Sequence, residues 1–297
     1  SKRAVQIAAV IGRRFPAQLL GDILGLRGDP TPLLAPLEQA GILERVVADG
    51  STGVEYRFRH TLMQEAAYAS LLHKHRQAYH RRVAAWYERQ AGNDPPLGMA
   101  AILAHHYDRA AATLEAARWS LAAGNEARHA FALDEARDHY MRALRLAEQV
   151  QDGEIHGRAL AGLGEIAVAE GALETAIEHF TGALELVRDP LERAVIERHC
   201  GQVQDRLGLH AAALAAFSRA AAILGEEKPG ESPAWRAERG RLRVARAYAH
   251  LNRGDDDAAR AAAEAAVRAE LDPVDRADAT ALLGAACLRR GEVAQAA

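Results

Sequence analysis

Leu160-Ala161-Gly162-Leu163-Gly164-Glu165-Ile166-Ala167-Val168-Ala169-Glu170-Gly171-Ala172-Leu173-Glu174-Thr175-Ala176-Ile177-Glu178-His179-Phe180-Thr181-Gly182-Ala183 is the stretch that decides the fold. Leu160, Leu163, Gly164 and Ala167 recur at three- and four-residue steps, so they share one face of a helix. Gly171 then breaks the periodicity, and Ala176, Phe180 and Ala183 resume it on a second helix. The same order returns in Cys200, Gly201, Gln204, Gly208, Ala213, Phe217, Ala220, and earlier in Gly124, Ala127, Ala136, Tyr140, Ala143. A weaker copy reads Ala247, Gly254, Ala259, Ala263, Ala266, and a last one Leu283, Gly284, Cys287, Gly291, Ala296. The turn glycines Gly171, Gly208, Gly254 and Gly291 are 37, 46 and 37 residues apart. A loop over Glu226–Pro233, rich in charge, Pro and Gly, accounts for the longer interval. Small residues let the two helices of a pair approach, and the aromatic is expected to fill the gap to the neighbouring pair.

These offsets resemble the tetratricopeptide (TPR) repeat, whose usual period is ~34 residues. The resemblance implies a superhelix of helical hairpins, about five of them over 116–297 with the last truncated, presenting a concave face to a protein or small-molecule inducer. The repeats also assign their own odd residues. Tyr140, Phe180 and Phe217 read as core, and Cys200 and Cys287 as small buried hydrophobes. His179, His199, His210 and His250 show no cysteine or carboxylate at metal-ligand spacing.

Composition agrees with a mostly α protein. Aromatics make up only 5% of 297 residues, whereas alanine runs through Ala211–Ala213 and Ala261–Ala263, which suits close helix packing better than a β-sandwich. A net charge of −3 excludes a strongly basic nucleic-acid binder in the aggregate. Two cysteines are too few for a disulfide framework, no apolar run approaches the ~20 residues of a membrane span, and no signal-peptide pattern opens the chain. The expectation is a cytoplasmic protein without a membrane partner. Lysine occurs only at Lys2, Lys74 and Lys228, none within Gly-x-x-x-x-Gly-Lys-Ser/Thr, so no Walker-type ATP site is encoded here. Residues 1–91 hold 13 Lys/Arg against 8 Asp/Glu, whereas 92–297 hold 24 against 32. The sign of the charge changes at Gly92-Asn93-Asp94-Pro95-Pro96, where no helix continues.

Upstream of that break, Ala4–Ile11, Pro16–Leu24 and Leu33–Ala40 read as three short helices, ended by Gly12, Gly25 and Gly41. Ile42–Ala48 and Val54–Phe58 read as strands of a hairpin with its tip at Asp49–Gly53. Three helices followed by a hairpin predict a winged-helix domain over 1–72, with a helical arm over 73–115. Such domains often bind DNA through the third helix, and a DNA-binding regulator with a helical-repeat sensor is the alternative function. That helix, however, offers no basic residue, one acid (Glu38) and an internal Pro36, a surface that repels phosphate.

Tyr56-Arg57-Phe58-Arg59-His60-Thr61-Leu62-Met63-Gln64-Glu65-Ala66-Ala67-Tyr68 follows, then His80-Arg81-Arg82-Val83-Ala84 and Leu103-Ala104-His105-His106-Tyr107. Together these resemble the region after the ATPase core in bacterial STAND proteins, the signal-transduction ATPases with numerous domains, in the versions fused to class III cyclases or in large LuxR-type activators. The resemblance implies a nucleotide-binding domain, a winged helix, a helical arm and a superhelical sensor, of which this chain has the last three. It further implies a fragment of a larger protein that catalyses nothing by itself, with ATP/ADP and Mg held by the ATPase domain as partner.

Arg59-His60-Thr61-Leu62 falls where such proteins carry a Met-His-Asp-type motif whose histidine contacts the β-phosphate of ADP. His60, with Arg59 beside it, is the candidate cofactor-binding position, although Thr61 replaces the aspartate. The other reading has His60 capping or packing at the hairpin–helix junction. Arg57 and Arg59 share one face of the strand, directed at an ATPase domain or at solvent. No catalytic residue and no metal ligand is expected. His73, His75 and His80 lie on a basic helix without acidic or cysteine partners, and of adjacent His105 and His106 one is expected to pack and the other to be exposed. The basic face of Lys74–Arg89 suits an inter-domain contact better than lipid.

Overall fold

The computed structural model describes residues 2–46, 53–92, 96–226, 230–269 and 273–289. Among them are fifteen helices and three short strands, in two compact units, residues 1–150 and 151–297.

The first unit opens with α1 (Lys2–Ile11), β1 (Arg14–Pro16), α2 (Ala17–Leu24), α3 (Thr31–Gln39), β2 (Leu43–Val46) and β3 (Glu55–Phe58). β3 is the central strand of an antiparallel sheet in the order β1-β3-β2. This is the winged-helix order of elements, with one strand more than the sequence pattern suggested. β1 is only three residues long, too short to show a period of two. It lies where Pro16 was expected to start a helix, and α2 starts one residue later. Alternation along β3 turns Tyr56 and Phe58 inward, where both are fully buried against Phe15 of β1. Arg57 points the other way and pairs with Glu44 of β2. Gly41 takes the left-handed conformation (φ 69°) that ends α3, as expected. The tip of the hairpin, 49–52, and the charge break at 93–95 lie outside the described residues.

Beyond the sheet come α4 (Thr61–Ala69), α5 (His73–Ala91), α6 (Met99–Arg109), α7 (Thr113–His129) and α8 (Leu133–Val150). α5 is bound to the winged-helix core by Leu71 and Val83 and by a hydrogen bond from Trp86 Nε1 to Asp22 of α2 (2.7 Å). α7 and α8 form the first helical hairpin.

The second unit stacks α9 (Gly153–Glu170) on α10 (Leu173–Leu186), α11 (Pro190–Arg206) on α12 (His210–Leu224) and α13 (Pro233–Arg253) on α14 (Asp256–Val267), followed by α15 (Pro273–Arg289). These are TPR-like hairpins. The α9–α10 and α11–α12 hairpins, like the α7–α8 hairpin of the first unit, depend on a glycine of the first helix facing an aromatic sixteen residues later: Gly164 with Phe180, Gly201 with Phe217, and Gly124 with Tyr140. A Cβ on Gly164 would lie 2.6 Å from the Phe180 ring, and one on Gly201 would run into Phe217. The aromatic therefore seats first on its own hairpin's glycine, and only its outer side serves the next hairpin as the sequence suggested: Phe180 also packs with Ile196, Cys200 and Val203 of α11. In the third hairpin the same two positions are Ala247 and Ala263. Residues 227–229 of the Glu226–Pro233 segment, and Gly291 with Ala296 of the last copy, lie outside the described residues.

Arginines tie successive hairpins together. Arg193 of α11 donates to the carbonyls of Leu184 and Val187 at the end of α10, at 2.6 and 2.8 Å. Arg239, which stands at the corresponding position of α13, donates to Leu224 O at the end of α12 and pairs with Glu231. Arg198 of α11 forms a two-pronged buried pair with Glu238 of α13, at 2.6 and 3.2 Å.

Replacing Gly164 by alanine should destabilise the protein by about 1–3 kcal/mol, the usual cost of overpacking a filled core. Phe180→Ala alone should cost about 3–5 kcal/mol, and in the double variant Gly164→Ala should cost much less than it does beside the ring, as a urea titration of the full cycle measures. Strictly additive losses would show that ring and glycine are not coupled. Phe131, at the α7–α8 turn, has φ 59° and is exposed, so Phe131→Gly should raise the urea midpoint by about 1 kcal/mol of stability.

Candidate functional site

The side chains singled out in the sequence meet at the junction of β3, α4, α5 and α6. His60 occupies the N-cap of α4 in an extended conformation (φ −130°, ψ 134°), and its side chain makes no capping hydrogen bond. It is exposed, as is Arg59. The expectation that His60 caps or packs at this junction is therefore not met. Both groups face solvent at the edge of the sheet, whereas Arg57 is engaged with Glu44.

α4 itself is unusual. None of its nine residues is fully buried, and Leu62 (77% exposed) and Met63 lie open on it, with Leu72 open just beyond its end. Ala67 and Tyr68 attach its other side to the core. A short helix with an apolar outer face has the form of a surface awaiting a partner.

Behind α4, burial reveals what the sequence did not. His80 of α5 and His106 of α6 are 2% and 3% exposed, with their Nδ1 atoms 2.8 Å apart. Tyr68 Oη lies 3.1 Å from His80 Nε2. A contact between two ring nitrogens needs one to donate and one to accept, so at least one imidazole is neutral. Burial, and the neighbouring His105 and Arg109, push His80 down to about 3, and burial with the two other histidines does the same to His106. His105 is exposed at the mouth of the cleft, with its ring edge-on to His80, so one of the adjacent histidines packs and the other is exposed, as expected. For His80 the sequence offered only its place on a basic helix; its partner lies 26 residues away, and nothing in the spacing links the two.

Around this buried chain opens a cleft of about 360 Å³, lined by Val10 and Ile11 of α1, Glu65 and Tyr68 of α4, and His105 and Arg109 of α6, among others. In the second unit, a cavity of about 320 Å³ lies between α9, α10 and α11, with Phe180 and Val203 in its wall and Glu165, Gln202 and Arg206 beside them.

Two histidines of the repeats depart from expectation by pairing with carboxylates. His210 Nδ1 lies 2.7 Å from Asp205, and His250 Nδ1 lies 3.7 Å from Asp255, both across helix–helix turns. Only the first is within hydrogen-bond distance and fastens its turn; burial pushes His250 towards the neutral form. Among the described residues no group of three or more His, Cys, Asp or Glu side chains is placed to hold a metal ion, and no helix is long and apolar enough to cross a membrane. Cys200 is buried, and its surroundings, with Glu197 nearby, push the thiol up to about 12, which keeps it protonated and unreactive.

These features define the class: a mostly helical protein with TPR-like hairpins, preceded in the chain by a small helix-and-sheet module whose elements follow the winged-helix order. No family model matches the chain. A protein of Rhizobium meliloti (strain 1021), the uncharacterized protein R02095, is 32% identical over 196 residues, which is 63% of this chain but 19% of that protein. Among solved structures, the chain is similar to the STAND protein with a tetratricopeptide repeat sensor PH0952 from Pyrococcus horikoshii, with a TM-score of 0.61 and 15% identity over 98% of this chain and 41% of that one. It is also similar to BtubC (BKLC) from P. vanneervenii, with a TM-score of 0.52 and 16% identity over 76% of this chain and 87% of that one. The chain thus spans less than half the length of the STAND structure and about a fifth of the Rhizobium relative.

Because folding holds His80 and His106 neutral, the unfolded chain binds protons that the folded chain refuses below about pH 6.5, and stability falls from there towards pH 3. Between pH 7 and 5 each imidazole should withdraw on the order of 2 kcal/mol. The double variant His80→Phe/His106→Leu should show a much flatter urea midpoint over that range. A slope as steep as that of the parent would place the acid sensitivity elsewhere.

Proposed function

We propose that this chain is the regulatory and sensor region of a STAND-type signalling ATPase. In this reading the winged helix packs on a nucleotide-binding domain outside the chain, and the repeats bind a protein or small inducer whose docking shifts a closed–open equilibrium. The observation that carries the proposal is the continuous match to the STAND protein PH0952, which runs through the N-terminal module and the repeats over 98% of the chain. The exposed apolar face of α4 supports it further. A nucleotide-binding domain seated on Leu62 and Met63 would cover surface that the chain leaves open, and Arg59 and His60 would then stand at the edge of that contact.

His60 would donate to a phosphate oxygen of ADP held by that domain, and Arg59 would add positive charge beside it. Thr61 in place of an aspartate leaves the imidazole without a carboxylate neighbour in the motif, so the contact would be a single hydrogen bond. ATP, ADP and Mg would be held wholly by the partner domain. The chain alone would turn over no substrate. The alternative, a DNA reader, would have to use α3, which carries Glu38 and no basic residue. Cytoplasmic location and an output through a cyclase or a transcriptional domain belong to the same proposal.

In the full-length protein, His60→Ala should speed ADP release by about tenfold or more, the equivalent of one hydrogen bond to a charged group, and raise basal output. Stopped-flow release of a fluorescent ADP measures this. Unchanged release would remove His60 from the nucleotide. Nucleotide hydrolysis by the purified chain, or steeply salt-dependent binding to duplex DNA, would overturn the wider reading.

A further inference from the structure

The cleft between α1, α4, α5 and α6 has a charge pattern that the proposed function does not use. Glu65 and Arg109 both line it, and neither has an ion-pair partner among the described residues. Nearby charges on the same unit behave differently: Arg142 pairs with Asp108, Arg14 with Glu55 and Arg57 with Glu44. Both side chains are exposed at the cleft, on different helices, and do not pair with each other.

The surroundings sort these charges into two poles. Glu65 shares the lining with Val10 and Ile11 at the carbonyl end of α1, whose Ala9 O accepts from Gln64 Nε2 (3.3 Å). Arg109 stands one helical turn from His105 on α6, so both reach the cleft from one face. The floor is rigid, because Tyr68 and His80 are hydrogen-bonded to each other and His80 to the buried His106. Val10 and Ile11 add an apolar wall. At about 360 Å³ the cleft lies at the small end of ligand pockets, the size of a metabolite.

From this pattern we infer that the cleft binds a small zwitterion of the amino-acid class. Its carboxylate would meet Arg109, its ammonium would meet Glu65 and the end of α1, and its side chain would lie on Val10 and Ile11. A simple anion would be opposed by Glu65 and a simple cation by Arg109, so only a ligand with both charges satisfies both walls. This inference is independent of any ATPase domain.

Calorimetric titration of the chain with each of the twenty common L-amino acids tests it. At least one should bind, and its deaminated and decarboxylated analogues should each bind at least tenfold more weakly. Glu65→Gln should abolish the preference over the deaminated acid, and Arg109→Gln the preference over the decarboxylated amine. Arg109→Lys, which keeps the charge, should retain most of the affinity and guards against a folding defect in the glutamine variant. No binding at millimolar concentration, or analogues that bind as tightly as the parent, would overturn the site.

Discussion

The repeats depend on one steric fit: an aromatic ring seated on a backbone that carries no side chain. Gly124, Gly164 and Gly201 leave room for Tyr140, Phe180 and Phe217, and any Cβ there would occupy space already filled by the ring. The fit sets how closely the two helices of a hairpin approach, and it fixes their register, because a shift by one turn would bring a side chain under the ring. It also serves the next hairpin. Phe180 and Phe217 are fully buried, so their outer sides are covered in turn, Phe180 by Ile196, Cys200 and Val203 and Phe217 by Leu242, Ala245 and Ala249. Tyr140 fills the same position with a hydroxyl that has to be satisfied, and it donates to Asn125 while accepting from Arg128.

A comparable constraint orders the N-terminal module. Phe15, Tyr56 and Phe58 fill the inner face of a three-stranded sheet only three or four residues long. Alternation then sends Arg57 and Arg59 outward, and the chain leaves β3 with His60 extended and exposed at the head of α4. Strand alternation alone would turn His60 inward with Tyr56 and Phe58; it is exposed because β3 ends at Phe58 and His60 already belongs to the start of α4. α4, which buries nothing completely, is held by one side alone. A helix so attached has fewer buried contacts to lose than the helices around it, so it stands at the low-stability end of the module.

The hairpins were legible in the sequence because their determinants are local: glycine, small residues and an aromatic at fixed steps. The turns were legible only where the left-handed residue is glycine, as at Gly171. Ala111, Phe131 and Gln151 adopt the same conformation at 20-residue intervals before it, with φ of 54–59°, and no glycine marks them. The α7–α8 hairpin was read from Gly124, Tyr140 and Ala143 without its turn at Phe131, and the turn at Ala111 that separates α6 from α7 carried no mark at all. β1 escaped because three residues carry no pattern, and its strand character arises from pairing with β3. The candidate site was legible in part. His60 stood out by motif, but its exposure did not: alternation along β3 would bury it, and only the end of the strand at Phe58 leaves it open. The pairing of His80 with His106, and the cleft that brings Glu65 to Arg109, depend on how α4, α5 and α6 pack, which no spacing encodes.

The third hairpin shows what happens when the steric fit is relaxed. Ala247 and Ala263 together supply far less volume than glycine and phenylalanine, and there is no ring to present to the next helix. Polar ties are concentrated on this same helix. Glu238 takes the buried two-pronged bond from Arg198, and Arg239 closes the end of α12 while pairing with Glu231. Such pairs add little net stability, because both charges are desolvated, but leaving either partner single is costly. They therefore act mainly on register: α13 can sit on α11 and α12 in only one way that satisfies both charges. Where apolar complementarity is weak, an arrangement with a single satisfied state replaces one with the largest contact. A repeat array built in this manner keeps its register at the hairpin where its packing supplies the least volume.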